Sequence, residues 1–186
     1  MEAPTPILAA LYRHDPAEAE RLAEGAVLNV HEAAALGRTQ RLADLVAAGA
    51  DPAEPGPDGF TPLHLACYFG RVATVGWLLD AGVPLEPEAG AARIRPLHAA
   101  MATGDEGAAL ALARLLLPLH LDVDAPQAGG HTALHAAAAR GSRALAELLL
   151  FRGAGSHLRT EDGRTPADLA EAKGHADLAA WLRTRA

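Results

Sequence analysis

Apolar residues recur along the chain in pairs of short blocks, and each block has the spacing of one helix face. Residues 63–67 and 75–79 each place apolar side chains three and four positions apart. Positions with this spacing share one side of an α-helix. Gly70 follows the first block and Gly82 follows the second, and glycine readily adopts the left-handed conformation that ends helices. The pattern predicts two short helices that pack against each other.

The pair of blocks is repeated along the chain. The positions equivalent to Thr61 are Leu28, Arg95, Thr132 and Thr165, so that successive copies begin 33, 34, 37 and 33 residues apart. A glycine follows nine residues after each origin, at Gly37, Gly70, Gly104, Gly141 and Gly174. Such a period indicates a repeat protein in which each thin unit buries its apolar face against its neighbours.

Each origin opens a short motif that is most complete in Thr-Pro-Leu-His-Leu-Ala, residues 61–66. Threonine is a good N-cap, because its hydroxyl can accept a bond from a free amide of the first turn. Proline fits the first helical position. The stretch 51–59 is rich in proline and glycine and therefore predicts a loop before the helix.

This motif and its spacing resemble the ankyrin repeat, whose Thr-Pro-Leu-His-x-Ala signature recurs at about 33 residues. The resemblance covers about Val27 to Ala186. It implies an all-α solenoid of antiparallel helix pairs with β-hairpin-like connecting loops. It also implies structural roles for the motif residues Thr61, Pro62, His64, His98, Thr132, His135, Thr165 and Pro166, and for His31, with each imidazole hydrogen-bonded at the base of a loop.

We expect about five repeats, at residues 27–57, 58–91, 92–128, 129–161 and 162–186, behind a degenerate capping helix pair at residues 1–26. Repeat three departs from the others. It has Arg95 in place of threonine, about four extra residues around 104–107, and His120 where other repeats place a closing glycine. We expect this repeat to be distorted, with an extended turn between its helices.

Composition supports an all-α fold and limits the partners. Half of the residues are apolar but only 4% are aromatic, and the abundant alanine and leucine are strong helix formers. The net charge of −7 argues against nucleic acid, which binds to clustered positive charge. The first residues lack the basic and apolar pattern of a secretory signal, and no apolar run is long enough for a membrane helix. We therefore expect a soluble, cytoplasmic protein.

The sequence offers little catalytic or metal-binding chemistry. His131 and His135 have a spacing that can share zinc on a helix, but His131 precedes the predicted N-cap Thr132, and no cysteine or carboxylate completes a set. Cys67 lies near His64, yet the equivalent positions hold Ala34, Met101 and Ala138, which indicates a packed side chain. Phosphate-binding and nucleophile motifs are missing from the sequence. We expect no catalytic residue, no metal and no cofactor, and hence no enzyme.

The resemblance also implies where a partner protein would bind. In such repeats the contact positions lie just before the threonine and just before the first glycine. In repeat two, aromatic residues fill all three of these positions, and neighbouring repeats flank them. The expected partner-binding set is Leu36, Phe60, Tyr68, Phe69, Ile94, Thr103, His131 and Arg140. The alternative is that the three rings pack against neighbouring loops and serve stability.

The resulting hypothesis is a protein-interaction scaffold, either an adaptor or an inhibitor, that binds another protein through its loop tips and first helices. Two alternatives remain open. One is a structural protein that self-associates through the same apolar patch, and the other is a regulatory or sensor subunit of an enzyme complex. We expect a monomer, with a weak homodimer as the other possibility.

Overall fold

A computed structural model describes residues 3–185. Within that range the chain forms twelve α-helices and no strand. The helices are α1 Pro6–Tyr12, α2 Pro16–Ala23, α3 Val30–Leu36, α4 Thr39–Ala47, α5 Pro62–Tyr68, α6 Val72–Asp80, α7 Pro96–Ala102, α8 Glu106–Leu116, α9 Ala133–Arg140, α10 Arg143–Phe151, α11 Pro166–Ala172 and α12 Ala176–Arg183. The predicted all-α class is confirmed.

The helices stack in two rows. The first helices of the pairs contact one another in sequence, from α1 through α3, α5, α7 and α9 to α11. The second helices α4, α6, α8 and α10 form the other row, and each packs on the first helix of its own pair. Contacts therefore run between neighbours along the stack, as the predicted solenoid requires.

Alanine and leucine divide the packing between the two rows. The first helices meet through small residues such as Ala33, Ala66 and Ala137, all fully buried. The second helices contribute larger side chains to the same core, including the fully buried Leu78 and Leu149. Small residues allow the first helices to approach closely, and the leucines fill the space behind them.

A second apolar cluster joins the N-terminal helix pair to the stack. Ile7, Leu8 and Leu11 from α1 pack with Leu28, Leu36 and Leu65. Without α1, these leucines of the first two repeats would face water. The helix pair therefore closes the stack at its N-terminal end.

Most first helices end as the glycine pattern predicts. Gly37, Gly70, Gly141 and Gly174 have φ values of 77°, 70°, 79° and 85°. Repeat three differs from the others, because α7 ends at Ala102, the following Thr103 has φ −59° and ψ 142°, and Gly104 does not take the left-handed conformation. The guanidinium group of Arg140 instead donates to the carbonyl of Thr103.

The extra residues of repeat three do not extend its turn, contrary to expectation. Only residues 103–105 separate α7 from α8. The insertion lengthens α8 to 11 residues, against 9 in α6 and in α10. The Oδ1 atom of Asp105 accepts from the amide of Ala108 at 2.8 Å, and alanine and leucine dominate the helix that follows. A good N-cap and strong helix formers make the longer helix favourable. His120, with φ 58°, takes the conformation of a closing glycine.

The connecting loops form the predicted hairpin-like projections. In one of them, the amides of Ala89 and Ile94 donate to each other's carbonyl at 2.8 and 3.0 Å. Neighbouring tips are joined as well, since Ala128 donates to the carbonyl of Ala92 at 2.8 Å. The tips therefore form a row beside the first helices.

Candidate partner-binding groove

Each motif histidine links the start of its helix to the next loop. The backbone amide of Thr61 donates to Nδ1 of His64 at 3.2 Å, and the Thr61 hydroxyl lies 2.9 Å from the same atom. Nδ1 is therefore an acceptor, so the proton is on Nε2. That nitrogen donates to the carbonyl of Ile94 at 2.9 Å.

The same arrangement recurs in two further repeats. Nε2 of His98 donates to the carbonyl of Ala125 at 2.9 Å, and Nε2 of His135 donates to that of Arg164 at 3.1 Å. Burial lowers the pKa of His64, His98 and His135. These imidazoles are held neutral and fully used in hydrogen bonds, as a structural role requires.

Repeat one divides this role between two residues. The sequence alignment placed His31 at the position of His64, but α3 begins one residue later, after the N-cap Asn29. Glu32 therefore caps the helix, and its Oε2 accepts from the amide of Asn29 at 3.0 Å. His31 still reaches the next loop, with Nε2 2.9 Å from the carbonyl of Glu54.

The candidate nucleophile and the candidate metal ligands are buried or lie apart from other ligands. Cys67 is fully buried, and burial raises the pKa of its thiol, which opposes formation of a nucleophilic thiolate. His131 packs edge-on against His135, with ring centroids 5.9 Å apart. Among residues 3–185, no three histidine, cysteine, aspartate or glutamate side chains converge as a metal site would need.

An apolar cleft lies between the loop tips and the first-helix row. This anchor cleft has a volume of about 240 Å³, and its walls include Tyr12, Phe60, Tyr68, Ile94 and Ala102. A second space, the tip cleft, measures about 330 Å³ and is lined partly by Asp58 and Pro57. Tyr12 and Leu65 line both clefts. The two clefts are therefore adjacent parts of one groove at the N-terminal half of the stack.

The aromatic residues of the groove also pack on one another. The ring of Tyr12 lies 6.1 Å from that of Tyr68 and 5.5 Å from that of Phe69, between centroids. Phe60 meets the imidazole of His64 edge-on at 5.5 Å. Phe60, Tyr68 and Phe69 are all partly buried. The rings thus have both the structural contacts of the alternative interpretation and surface left over for a ligand.

Only part of the expected contact set faces the groove. Phe60, Tyr68 and Ile94 line the anchor cleft, whereas Leu36 and Thr103 are only 6% and 4% exposed. Leu36 is covered by the N-terminal helix pair. Thr103 lies under Gly70, where an added Cβ would come within 3.0 Å of its hydroxyl oxygen.

The remaining members of the set have structural contacts. Phe69 belongs to the cluster around α1, and Arg140 is engaged with the end of α7. His131 is partly buried against His135. Neither His131 nor Arg140 lines either cleft.

Sequence reasoning missed Tyr12, although a signal for it was present. Tyr12 lies seven residues after Thr5, just as Tyr68 lies seven after Thr61 and Ala102 seven after Arg95. Reading the N-terminal pair in the register of the repeats would have placed Tyr12 beside Tyr68. Burial and the nearby Asp58 raise the pKa of Tyr12 to about 12, so its phenol is neutral at physiological pH.

Comparison with known proteins finds ankyrin repeats in two stretches of the chain. Residues 30–79 match the family described as "Ankyrin repeats (many copies)", and residues 97–185 match "Ankyrin repeats (3 copies)". None of the helices within residues 3–185 has the length and apolar character to span a bilayer.

Several human proteins are similar to the chain over these repeats. Neurogenic locus notch homolog protein 4 is 36% identical over 66% of this chain and 7% of its own length. Ankyrin repeat and KH domain-containing protein 1 is 36% identical over 57% of this chain and 4% of its length. Ankyrin repeat and SOCS box protein 16 is 31% identical over 76% of this chain and 39% of its length. In each case the chain spans well under two thirds of the relative.

Proposed function

Because this chain belongs to the ankyrin repeat family, we propose that it is a protein-interaction scaffold that holds a partner in the groove. Ankyrin repeats are generally protein–protein interaction modules, and their fold is generally non-catalytic. A fold alone names no ligand, so the proposal depends on a site. The anchor cleft is the observation that carries it.

The physical argument starts from the lining of that cleft. Partly buried tyrosine and phenylalanine side chains supply apolar surface on a rigid support, and such aromatic positions dominate the energy of many interfaces. Helices α5 and α7 hold Tyr68 and Ala102 in place, while the loops before them hold Phe60 and Ile94. The groove therefore offers a preformed pocket for an apolar side chain of a partner, which lowers the entropy cost of binding.

The test uses matched substitutions at equivalent positions of two repeats. Ala102 and Ala172 each end the first helix of a repeat and are each exposed. Ala102→Arg fills the anchor cleft without removing a buried side chain, and Ala172→Arg adds the same group far along the stack. Affinity capture from cells of the source organism, followed by mass spectrometry, compares both variants with the unmodified chain.

We expect partner proteins to be retained by the unmodified chain and by Ala172→Arg but lost with Ala102→Arg. Circular dichroism should be the same for all three proteins, since neither site is in the core. If Ala102→Arg retained partner proteins as well as Ala172→Arg and the unmodified chain do, a role for the anchor cleft would be contradicted. Loss with Ala172→Arg alone would move the binding surface to the C-terminal half.

Self-association through the same surface would give a different result. We expect light scattering to report the monomer mass at low and at high protein concentration. A dimer that forms with concentration and is abolished by Ala102→Arg would identify a second copy of the chain as the occupant of the groove.

A further inference from the structure

Asp58 is a carboxylate without a neighbouring cation at the edge of the groove. It lies three residues before Thr61, in the position that Asp162 holds before Thr165. Asp162 forms an ion pair with Arg164 at 2.6 Å, but the residue equivalent to Arg164 is Phe60. The ion pairs formed within residues 3–185 leave Asp58 unpaired.

The loop before α7 also contains an acidic side chain that is paired with nearby arginines. Glu88 pairs with Arg93 at 2.9 Å and with Arg95 at 3.0 Å. Glu88 and Asp162 are thus compensated within the chain. The tip of the second repeat instead combines an uncompensated Asp58 with the apolar ring of Phe60.

The carboxylate is placed where a ligand in the groove would meet it. Asp58 lines the tip cleft, and its Oδ1 accepts from the amide of Phe60 at 3.0 Å, which fixes the side chain and leaves its other oxygen available. Tyr12 lines both the tip cleft and the anchor cleft. Neither cleft has a lysine or arginine among its lining residues. The groove therefore joins an apolar pocket to a site of negative charge.

We propose that the groove binds a partner segment carrying a lysine or arginine close to an apolar side chain, the apolar group entering the anchor cleft and the cation meeting Asp58 beside Tyr12. This inference rests on the proposed function and adds the chemistry of the partner. The ring of Tyr12 can favour the same cation through its π face.

The experiment selects ligands without assuming a sequence. A phage-displayed library of random short peptides is selected on the unmodified chain, with Ala102→Arg used to remove peptides that bind elsewhere. The most enriched peptide is then synthesised with a fluorophore. Its affinity is measured by anisotropy for the unmodified chain, for Asp58→Asn and for the matched control Asp162→Asn.

We expect enriched peptides to carry a basic residue near an apolar one. Asp58→Asn should weaken binding about tenfold, because it removes the charge that faces the cation, and added salt should weaken binding by the unmodified chain. Asp162→Asn should leave affinity within about twofold, because that carboxylate is an exposed member of a local ion pair.

The results of this experiment test the need for a basic residue separately from the proposed scaffold function. Peptides that require an open anchor cleft but lack a basic residue, or that bind Asp58→Asn as well as the unmodified chain, would overturn the inference and leave the scaffold proposal standing. If no selected peptide is sensitive to Ala102→Arg, both proposals are contradicted.

Discussion

Single glycines determine how closely one repeat can approach the next. Gly141 ends α9 with φ 79°, and a Cβ atom added to it would lie 2.5 Å from the imidazole of His175 in the following repeat. Gly153, with φ 91°, also requires the left-handed region, but a Cβ there would meet no atom within 4 Å. The two positions share the backbone constraint and differ in the contact between repeats.

Alanine substitutions at these glycines should therefore have unequal effects. Each places a side chain in the left-handed region, at a cost of about 1–2 kcal/mol. Gly141→Ala must also displace His175, and overpacking of this kind adds about 1–3 kcal/mol. Urea unfolding followed by circular dichroism should rank Gly141→Ala below Gly153→Ala in the free energy of unfolding. Equal losses would mean that the repeats separate at this turn without cost.

At the scale of elements, the motif histidine joins a helix to the loop that follows it. Repeat five has Asp168 in place of the histidine, and this residue makes the capping bond of the motif. Its Oδ2 accepts from the amide of Thr165 at 2.9 Å, which caps α11.

Acid should weaken these links. An imidazole in the unfolded chain takes up a proton near pH 6.5, while burial lowers the pKa of His64, His98 and His135 in the folded chain. As pH falls below about 6.5, the unfolded state binds more protons than the folded state, and the free energy of unfolding decreases. The contribution is fully present above that pH.

Urea midpoints at about pH 7.5 and about pH 5.5 would measure this effect. The variant His135→Asp keeps a capping acceptor at α9 but loses the bond to the carbonyl of Arg164. It should be less stable at neutral pH and should depend less on pH across this interval than the unmodified chain. A midpoint that does not change with pH would show that the three imidazoles are not held neutral by the fold.

The start of a helix was predicted correctly where the capping residue alone determines it. Thr61, Thr132 and Thr165 each precede a first helix, as their capping chemistry predicts. The prediction failed in repeat three, because the longer spacing was assigned to the turn instead of to α8. The capping side chain of Asp105 and the helix-forming residues after it were the better guide.

At the scale of the whole molecule, different contacts hold the first and the last helices of the described stack in place. At the N-terminal end α1 covers Leu36 and brings Tyr12 to the groove. At the other end, the guanidinium groups of Arg143 and Arg185 lie 4.6 and 4.7 Å from the ring of Trp181. Arginine stacked on an indole in this way is attracted to the face of the ring, which stabilises the packing of α12.

The groove was less predictable than the fold, because it depends on contacts between repeats. The periodic motif fixes the helices of each unit, and so the solenoid followed from it. Whether a contact position is exposed depends on the neighbouring unit. Leu36 is buried by the N-terminal helix pair, and Thr103 is buried against Gly70. The walls of the anchor cleft, in contrast, include Phe60, Tyr68 and Ile94. Position within one repeat cannot distinguish these cases.

The central claim is that a ligand occupies the first-helix row at the N-terminal half of the stack. Hydrogen–deuterium exchange, with and without a saturating peptide from the library selection, tests it most directly. We predict slower exchange in the loops at residues 56–60 and 89–94 and in α5 and α7, with little change in α10 and α12. Protection confined to the second-helix row, or to α9 and α11, would contradict the account.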